Sequence, residues 1–296
     1  MSSDLPVSET RMKNQYHPEV IPEEVSKSES SIMDRFLNKI TCGDNCDLLG
    51  LLPRECIDLV VTSPPYDDLR TYGGHTWDFY GVAWQLKRVL KPGGVIVWVV
   101  ADATKDGSET GSSMEQALFF KRLGLNLHDT AIYRKMNYTP LTHNRYEQEW
   151  EYMFILSAGK PKTFNPLKVP CTWAGQQTWG KPNMYKDNSG ELTRVEQTTI
   201  NETKIKGNIF EYLVGSTQTG KINHPAIFPE QLAKDQILSW SNPGDIVLDP
   251  FSGSGTTAKA AKELERKYIG FEINPEYCTI GEARTAQEVL QLSEYL

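Results

Sequence analysis

The chain has 296 residues, of which 39% are hydrophobic and 23% charged, and its formal net charge is −7. This length predicts one large α/β domain that carries an insertion, and the composition is typical of a soluble globular protein. Apolar runs fall short of the roughly 18 residues that a membrane-spanning helix needs, and the first residues lack the layout of a secretory signal. We therefore expect a cytoplasmic protein with no membrane partner.

Charge is spread unevenly along the chain. Residues 1–30 hold three basic and six acidic side chains, a balance of −3, whereas residues 160–206 hold eight basic and four acidic side chains, a balance of +4. The acidic total disfavours nucleic-acid binding by the chain as a whole, because a polyanion is attracted to positive fields. The basic middle segment is nevertheless suited to face phosphate.

The five cysteines are an odd and scattered set. Cys42 and Cys46 have no matching pair of Cys or His further along the chain, which disfavours a zinc site. We expect reduced thiols, as in a cytosolic protein, and no bound metal.

Residues 1–34 are rich in Ser, Glu and Pro and have no hydrophobic periodicity, which predicts a flexible or loosely docked N-terminal extension. The chain then alternates β-branched runs with amphipathic stretches, and Lys91-Pro92-Gly93-Gly94 is a stop signal after the first of these stretches. The alternation indicates a mostly parallel, twisted sheet with helices on both faces. Strands are predicted at 40–42, 57–61, 95–100, 127–133 and 152–157, and helices at 80–90 and 113–123.

The strand at 57–61 runs into Thr62-Ser63-Pro64-Pro65-Tyr66. Two consecutive prolines stop a strand and begin a stiff, extended loop whose carbonyl groups have no competing local N–H. With a hydroxyl before the prolines and an aromatic ring after them, the loop forms a rigid cradle for a planar group that bears an amine. A plain strand-terminating turn is the alternative.

Residues 158–222 interrupt the α/β rhythm. They contain four prolines, many amide and lysine side chains and several aromatic rings, and no helix longer than two turns is predicted. Basic, amide-rich loops with aromatic rings suit contacts to bases and phosphates. A surface excursion or small β-rich subdomain without a binding role is the alternative. The side chains predicted to contact DNA here are Lys160, Lys162, Lys181, Lys186 and Arg194.

The α/β rhythm resumes at Pro229 and contains a glycine-rich turn. A strand ends at Asp249, the turn follows with Gly253 and Gly255, and a helix begins at Thr256. Glycines after a strand let a ligand approach the backbone, and a helix N-terminus offers free N–H groups. A triphosphate-binding loop has a lysine directly after its last glycine, and this turn has none.

Glu272 ends the strand that follows, about 20 residues beyond the turn, where an acid accepts hydrogen bonds from both hydroxyls of a ribose. A solvated acid at a strand end is the alternative. Together, Asp249, the glycine-rich turn and Glu272 predict a cofactor that contains a nucleoside.

Four segments resemble the motifs of S-adenosylmethionine-dependent DNA amino-methyltransferases. Residues 63–66 resemble the catalytic motif of that family, and the turn at 249–255 resembles its cofactor motif. Residues 224–230 resemble the segment before the cofactor motif, and residues 41–44 resemble a short motif near the N-terminus. The catalytic motif comes first and the cofactor turn last, which is the circularly permuted order of the family's β-group.

This resemblance implies a Rossmann-like methyltransferase fold with a catalytic half at 35–157 and a cofactor-binding half at 223–296, separated by a target-recognition insertion at 158–222. It implies S-adenosylmethionine as cofactor and double-stranded DNA as partner. A homodimer, a restriction endonuclease of the same specificity and a bacterial or phage source are compatible with it. The implied cofactor-binding residues are Asp44, His224, Pro225, Asp249, Phe251, Gly253, Gly255, Thr256 and Glu272.

The implied reaction requires that the target base leave the duplex stack, because its amine is otherwise inaccessible. The Ser63 hydroxyl and the Pro64 carbonyl then accept hydrogen bonds from the amine, beside Pro65, while Tyr66 stacks on the base. The methyl group passes directly to nitrogen, so positioning supplies most of the acceleration and no metal is needed. Arg70, in the segment after the motif, is interpreted as a phosphate contact in a lid, with a plain surface loop as the alternative.

Serine before the two prolines is associated in the resembled family mainly with cytosine N4, and aspartate with adenine N6. We therefore prefer cytosine N4 and keep adenine N6 as the alternative. A protein glutamine methyltransferase is more distant, because that family places the cofactor turn before the catalytic motif. A binding protein without catalysis is disfavoured by the intact motif at 63–66.

Overall fold

The structure is a computed structural model, and it describes residues 25–65, 77–137, 145–177, 184–186, 189–194, 198–213 and 229–286. The helices are α1 (Val25–Phe36), α2 (Asn45–Leu51), α3 (Phe79–Val89), α4 (Ser112–Arg122), α5 (Glu230–Trp240), α6 (Thr256–Glu263) and α7 (Pro275–Ala286). The strands are β1 (Lys39–Cys42), β2 (Ile57–Thr62), β3 (Leu90–Val100), β4 (Thr104–Lys105), β5 (Ser108–Glu109), β6 (Asn126–Lys135), β7 (Trp150–Ser157), β8 (Lys168–Pro170), β9 (Met184–Lys186), β10 (Leu192–Arg194), β11 (Thr203–Ile205), β12 (Ile209–Tyr212), β13 (Ile246–Asp249) and β14 (Lys267–Glu272).

Eight strands form one sheet in the order β1-β14-β13-β2-β3-β7-β6-β12. Within this sheet β7 runs antiparallel to both of its neighbours, and the other adjacent strands are parallel. The predicted mostly parallel α/β sheet is therefore confirmed. Strands β13 and β14, from the end of the chain, lie between β1 and β2, from its beginning.

Helices cover both faces of the sheet, which explains why the inner strands are continuous apolar runs. In β3, every residue from Val95 to Val100 is buried. Helices α1–α4 pack on one face through side chains such as Leu86 and Phe120, and helices α5 and α6 pack on the other through side chains such as Leu232. In the part of the chain that the structure describes, no helix is both long and apolar enough to cross a membrane.

The N-terminal extension was predicted to be flexible or loosely docked up to residue 34, and its last part is a helix whose end packs on the core. Helix α1 begins at Val25. Ile32 and Met33 pack against the core cluster that contains Phe36. These apolar residues lie at helical spacing, but they are few in a Ser- and Glu-rich segment, so composition hides the helix. The remaining residues of the extension, 1–24, lie outside the described part.

The stop signal at 91–94 ends the helix as predicted, but it does not produce a loop. Strand β3 already begins at Leu90. The Gly93 N–H donates to the carbonyl of Ala158 at 2.7 Å, and the Ala158 N–H donates to the carbonyl of Gly94 at 3.0 Å. The strand is thus extended by a partner some 65 positions later in the chain, which local sequence does not reveal.

The stretch 158–222 contains short antiparallel pairs, β8 with β11 and β9 with β10. It also contributes β12, which joins the main sheet in parallel with β6, with Ile209 opposite Ile132 and Tyr212 opposite Lys135. Part of the stretch predicted as an insertion is therefore an edge strand of the main sheet.

Candidate active site

The carboxyl ends of β2 and β13 lie side by side at one edge of the sheet, which we call the catalytic edge. The two strands are parallel neighbours, with Leu59 opposite Val247. The Thr62 hydroxyl donates a hydrogen bond of 2.7 Å to Asp249 Oδ1, across 187 positions of sequence. The structure thus brings the predicted catalytic motif and the predicted cofactor turn together.

The motif after Thr62 leaves the sheet as an extended segment. Ser63 and Pro65 are partly exposed and Pro64 is buried. Burial of Pro64 anchors the loop, while the partial exposure of Ser63 gives a ligand access to this edge. Tyr66 and Arg70 lie outside the described residues, as do His224 and Pro225.

Asp249 lies beneath the cofactor turn, and its side chain holds several elements together. Its Oδ1 atom accepts hydrogen bonds from Thr62 and from the backbone N–H of Phe251, the latter at 3.0 Å. Burial raises the pKa of Asp249 from 3.8 to about 6, although these hydrogen bonds act in the opposite direction. The side chain therefore links β2 to the turn.

The turn itself depends on two glycines with positive φ angles, 49° at Gly253 and 78° at Gly255. Gly255 is the N-cap of α6, and its N–H donates to the Ser252 carbonyl at 2.8 Å. A Cβ atom at Gly255 would lie 2.9 Å from the Cα atom of Gly281 in α7. Backbone conformation and packing both require glycine here.

Glu272 binds the same turn from the neighbouring strand. Its Oε2 atom accepts a hydrogen bond from the Gly253 N–H and its Oε1 atom accepts one from the Asn274 N–H, both at 2.8 Å. A carboxylate has about four acceptor positions. Glu272 therefore holds the turn from a strand end, the position from which an acid accepts hydrogen bonds from ribose hydroxyls.

The short N-terminal motif also reaches this edge. Asp44 caps α2 by accepting hydrogen bonds from the N–H groups of Cys46 and Asp47. The buried Asn45 donates from Nδ2 to the carbonyl of Pro250 at 3.1 Å, which fixes the start of the cofactor turn. Sequence reasoning missed Asn45; its one signal is its position directly after the predicted Asp44.

An aromatic wall closes one side of the turn. The ring of Phe251 meets the ring of Trp77 edge to face, with centroids 4.9 Å apart, and the ring of Trp98 lies behind them at 6.3 Å. Phe251 and Trp77 are both partly exposed. Sequence reasoning missed Trp77, because nothing local distinguishes it from any tryptophan before a helix.

These groups fit a nucleoside cofactor. Two glycines keep the backbone open, the N-terminus of α6 directs N–H groups at the turn, and Glu272 and Phe251 supply a carboxylate and a ring. Thr256 begins α6 and is buried. Among the described residues, no group of three or more His, Cys, Asp or Glu side chains is arranged to hold a metal ion.

Two of the predicted DNA contacts of the insertion, Lys160 and Lys162, lie away from the catalytic edge. Lys160 and Lys162 are exposed, and the Lys162 N–H donates to the carbonyl of Gly93, near the beginning of β3. Thr62, at the catalytic edge, pairs with Trp98 of β3. Trp98 lies five residues beyond Gly93, which corresponds to roughly 17 Å along the strand. Lys181 lies outside the described residues. Lys186 and Arg194 lie on the paired strands β9 and β10.

Another basic residue does lie at the catalytic edge. The exposed Arg145, in the β6–β7 connection, donates a hydrogen bond to the carbonyl of Gly107, in the turn between β4 and β5. That turn follows the carboxyl end of β3, next to β2. Sequence reasoning missed Arg145. Its position after the carboxyl end of the strand predicted at 127–133 could have indicated that it lies at this edge.

Comparison with known proteins identifies the family of the chain. The model of the family described as DNA methylase matches residues 57–283, which include both the catalytic strand and the cofactor turn. The chain belongs to the N4/N6 DNA amino-methyltransferase family. The predicted family is thereby confirmed.

The methyltransferase is similar to several characterised relatives. It is 52% identical over 239 residues to the orphan methyltransferase M.BamHII of Bacillus amyloliquefaciens, covering 79% of this chain and 90% of that protein. It is 31% identical over 261 residues to the type II methyltransferase M.BglII of Bacillus subtilis, covering 85% and 70%.

A solved structure with bound cofactor supports the same conclusion. The methyltransferase resembles TTHA0409 of Thermus thermophilus, described as a DNA modification methylase complexed with S-adenosylmethionine. The TM-score is 0.56 at 26% identity, and the match covers 86% of this chain and 96% of that one. The cofactor of the methyltransferase is therefore S-adenosylmethionine, and its substrate is DNA.

Proposed function

We propose that this methyltransferase transfers a methyl group to N4 of a cytosine that is flipped out of a specific site in double-stranded DNA. The observation that carries the proposal is Ser63, directly after the Thr62–Asp249 hydrogen bond that joins the catalytic strand to the cofactor turn. Ser63 is the residue on which the choice of cytosine over adenine depends.

On the cofactor side, we assign binding to residues around the turn. Glu272 accepts from the ribose, and Phe251 contributes to the wall of the pocket. Asp249, being buried and bonded within the chain, positions the turn. The bound cofactor supplies a reactive methyl group on a positively charged sulfur. The remaining assigned residues are Asp44, Gly253, Gly255 and Thr256, with His224 and Pro225 at the methionine end.

On the base side, the Ser63 hydroxyl and the Pro64 carbonyl accept hydrogen bonds from the amine of cytosine. These bonds favour a nitrogen whose lone pair is available for the methyl group, while Pro65 keeps the loop stiff and Tyr66 stacks on the base. Stacking of a base on an aromatic ring contributes about 1–3 kcal/mol in related complexes. Positioning supplies most of the rate acceleration.

For the DNA surface, we propose that the catalytic edge, with Arg70 and Arg145, contacts phosphates around the flipped base. The stretch 158–222 recognises the target, with Lys181, Lys186 and Arg194 as basic contacts, between a catalytic half at 35–157 and a cofactor half at 223–296. Lys160 and Lys162 are left out of this surface because they lie near the opposite end of β3.

The proposal extends to partners and compartment. Because the substrate is DNA, the proposed compartment is the cytoplasm of a bacterium, with a phage as alternative source. A homodimer follows from the resemblance alone, and a restriction endonuclease of the same specificity is supported by the type II relative M.BglII.

The test is to incubate the protein with labelled S-adenosylmethionine and duplex DNA and to digest the DNA to nucleosides for mass spectrometry. We expect N4-methylcytosine, whereas N6-methyladenine would replace the base assignment with the adenine alternative. Label in added protein but not in DNA would favour the glutamine alternative. Ser63→Ala should lose most of the transfer and keep cofactor affinity, because the proposal assigns Ser63 to the base and not to the cofactor.

A further inference from the structure

Arg284, in the last described helix, holds the cofactor turn from the side that faces α7. Its side chain is only 11% exposed. Its Nη1 atom donates to the Ser254 carbonyl at 2.7 Å, to the Ser254 hydroxyl at 3.0 Å and to the Thr256 hydroxyl at 3.2 Å. One guanidinium group thus restrains the residue between the two turn glycines and the first residue of α6.

The other end of this guanidinium group faces an ion-pair cluster. Arg284 Nη2 lies 3.9 Å from Glu230, the first residue of α5. Glu230 also contacts Lys234 and Lys259, each at 2.8 Å. Although burial opposes it, these lysines lower the pKa of Glu230 and so keep it charged. Arg284 is therefore held in place by α5 while it holds the turn.

Close packing of α7 against the turn makes this contact possible. The Cα atom of Gly281 lies 2.9 Å from the position that a Cβ atom of Gly255 would take. Gly281 precedes Arg284 by about one helical turn, so both face the same neighbour. Two glycines thus let α7 approach closely enough for Arg284 to reach Ser254.

We propose that Arg284 is a positioning residue for S-adenosylmethionine. It fixes Ser254 and Thr256, and with them the backbone N–H groups and φ angles on which the cofactor pocket depends. The proposal rests on the proposed position of the cofactor at this turn. The recorded hydrogen bonds of Arg284 lie on the cofactor side of the site and leave the catalytic motif at 63–65 untouched.

The test measures cofactor affinity and DNA affinity separately on the full chain. In Arg284→Gln, the Kd for S-adenosylmethionine by calorimetry and the KM for it should rise about tenfold, because charged hydrogen bonds are lost. The Kd for duplex DNA by filter binding should stay within twofold. Arg284→Lys should recover part of the loss, since it keeps the charge but not the planar fork. The control is Glu282→Gln, an exposed position on the same helix.

If Arg284→Gln does not fold, Ser254→Ala tests the positioning role of Arg284 instead. It removes one acceptor and keeps the arginine, so a loss of cofactor affinity of about threefold is expected, with DNA affinity unchanged. In combination with Arg284→Lys the two losses should be less than additive, because both act on one contact. Unchanged cofactor affinity in these variants, or equal loss of cofactor and DNA affinity, would overturn the proposal. If Glu272→Ala also leaves the affinity for S-adenosylmethionine unchanged, the proposed position of the cofactor is refuted instead.

Discussion

A single oxygen atom, Oδ1 of Asp249, joins the two halves of the active site. It accepts hydrogen bonds from Thr62, next to the proposed catalytic residue Ser63, and from the backbone of Phe251 in the cofactor turn. A buried carboxylate is unfavourable unless it is hydrogen-bonded. Burial disfavours the charged form of Asp249, which joins these two segments. The stability of the fold should therefore depend on pH.

Asp249→Asn should remove this pH dependence of stability. The folded pKa of about 6 lies above the ordinary 3.8, so the proton stabilises the fold below about pH 4 and this contribution is lost as the pH rises through about 6. The free energy of unfolding of Asp249→Asn, relative to wild type, should rise by on the order of 2–3 kcal/mol between pH 4 and 7. Chemical denaturation at a series of pH values measures it.

Thr62→Val provides the matched control for Asp249. Loss of the Thr62 hydrogen bond should raise the pKa of Asp249 further, because that bond favours the charged form. The loss of stability should then move to higher pH. A stability difference between Asp249→Asn and wild type that does not change with pH would contradict the assignment.

Sequence alone predicted which acids lie at this site, but not what they touch. Asp249 and Glu272 follow from strand ends beside a glycine-rich turn. Asn45 and Arg284 do not, because their contacts with the turn arise only when separate helices pack around it. A residue whose role depends on a distant element carries no local signal.

At the scale of elements, the strand–turn–helix unit of β13 and α6 is braced from three directions. The adjacent strands contribute Thr62 and Glu272, α2 contributes Asn45, and α7 contributes Arg284. The turn is therefore expected to be preformed before the cofactor arrives. Preorganisation of this kind reduces the entropy lost on binding.

Gly255→Ala should lower the free energy of unfolding by more than the backbone strain of a positive φ angle accounts for. Gly124 has a similar φ of 89° but open space around it, so Gly124→Ala measures the backbone effect, about 1–2 kcal/mol. Gly255→Ala adds a clash with the backbone of Gly281. Its free energy of unfolding should fall by about 2 kcal/mol more, and its cofactor affinity should fall as well.

Thermal or chemical denaturation with and without S-adenosylmethionine compares the two glycine variants. Equal destabilisation of Gly255→Ala and Gly124→Ala, with equal stabilisation by the cofactor, would show that the contact between the turn and α7 is unimportant.

An element could be predicted from the sequence when residues near it in the chain mark it, and not when a distant element stabilises it. The strands at Ile57–Thr62 and Ile246–Asp249 were recognisable because apolar runs and turn residues mark them locally. Strand β12 could not be recognised from the sequence, because its four residues are stabilised by pairing with β6, some 77 positions earlier. The helix α1 was obscured by its polar composition, since only a few apolar residues dock it.

At the scale of the whole molecule, the sheet separates its basic residues between two edges. Arg145 lies with the catalytic motif at the carboxyl ends of the parallel strands. Lys160 and Lys162 lie near the beginning of β3. Among the described residues, Arg145 and these two lysines therefore do not belong to one continuous surface.

Arg145→Gln should weaken DNA binding, and the double variant Lys160→Gln, Lys162→Gln should not. Loss of one phosphate contact reduces the slope of log K against log salt by about 1 and weakens binding to all sequences alike. Filter binding at several salt concentrations measures both quantities. A change of slope in the lysine variant, with Arg145→Gln unaffected, would reverse the proposed orientation of DNA.

The strand order has a consequence for how the molecule comes into being. Strands β13 and β14 lie between β1 and β2, so Thr62 meets its partner only after the ribosome has added 187 further residues. Contacts so distant in sequence are slow to form. A growing chain therefore carries residues 63–65 before it has a cofactor turn, and we expect methylation to begin only after β13 and β14 have inserted between β1 and β2.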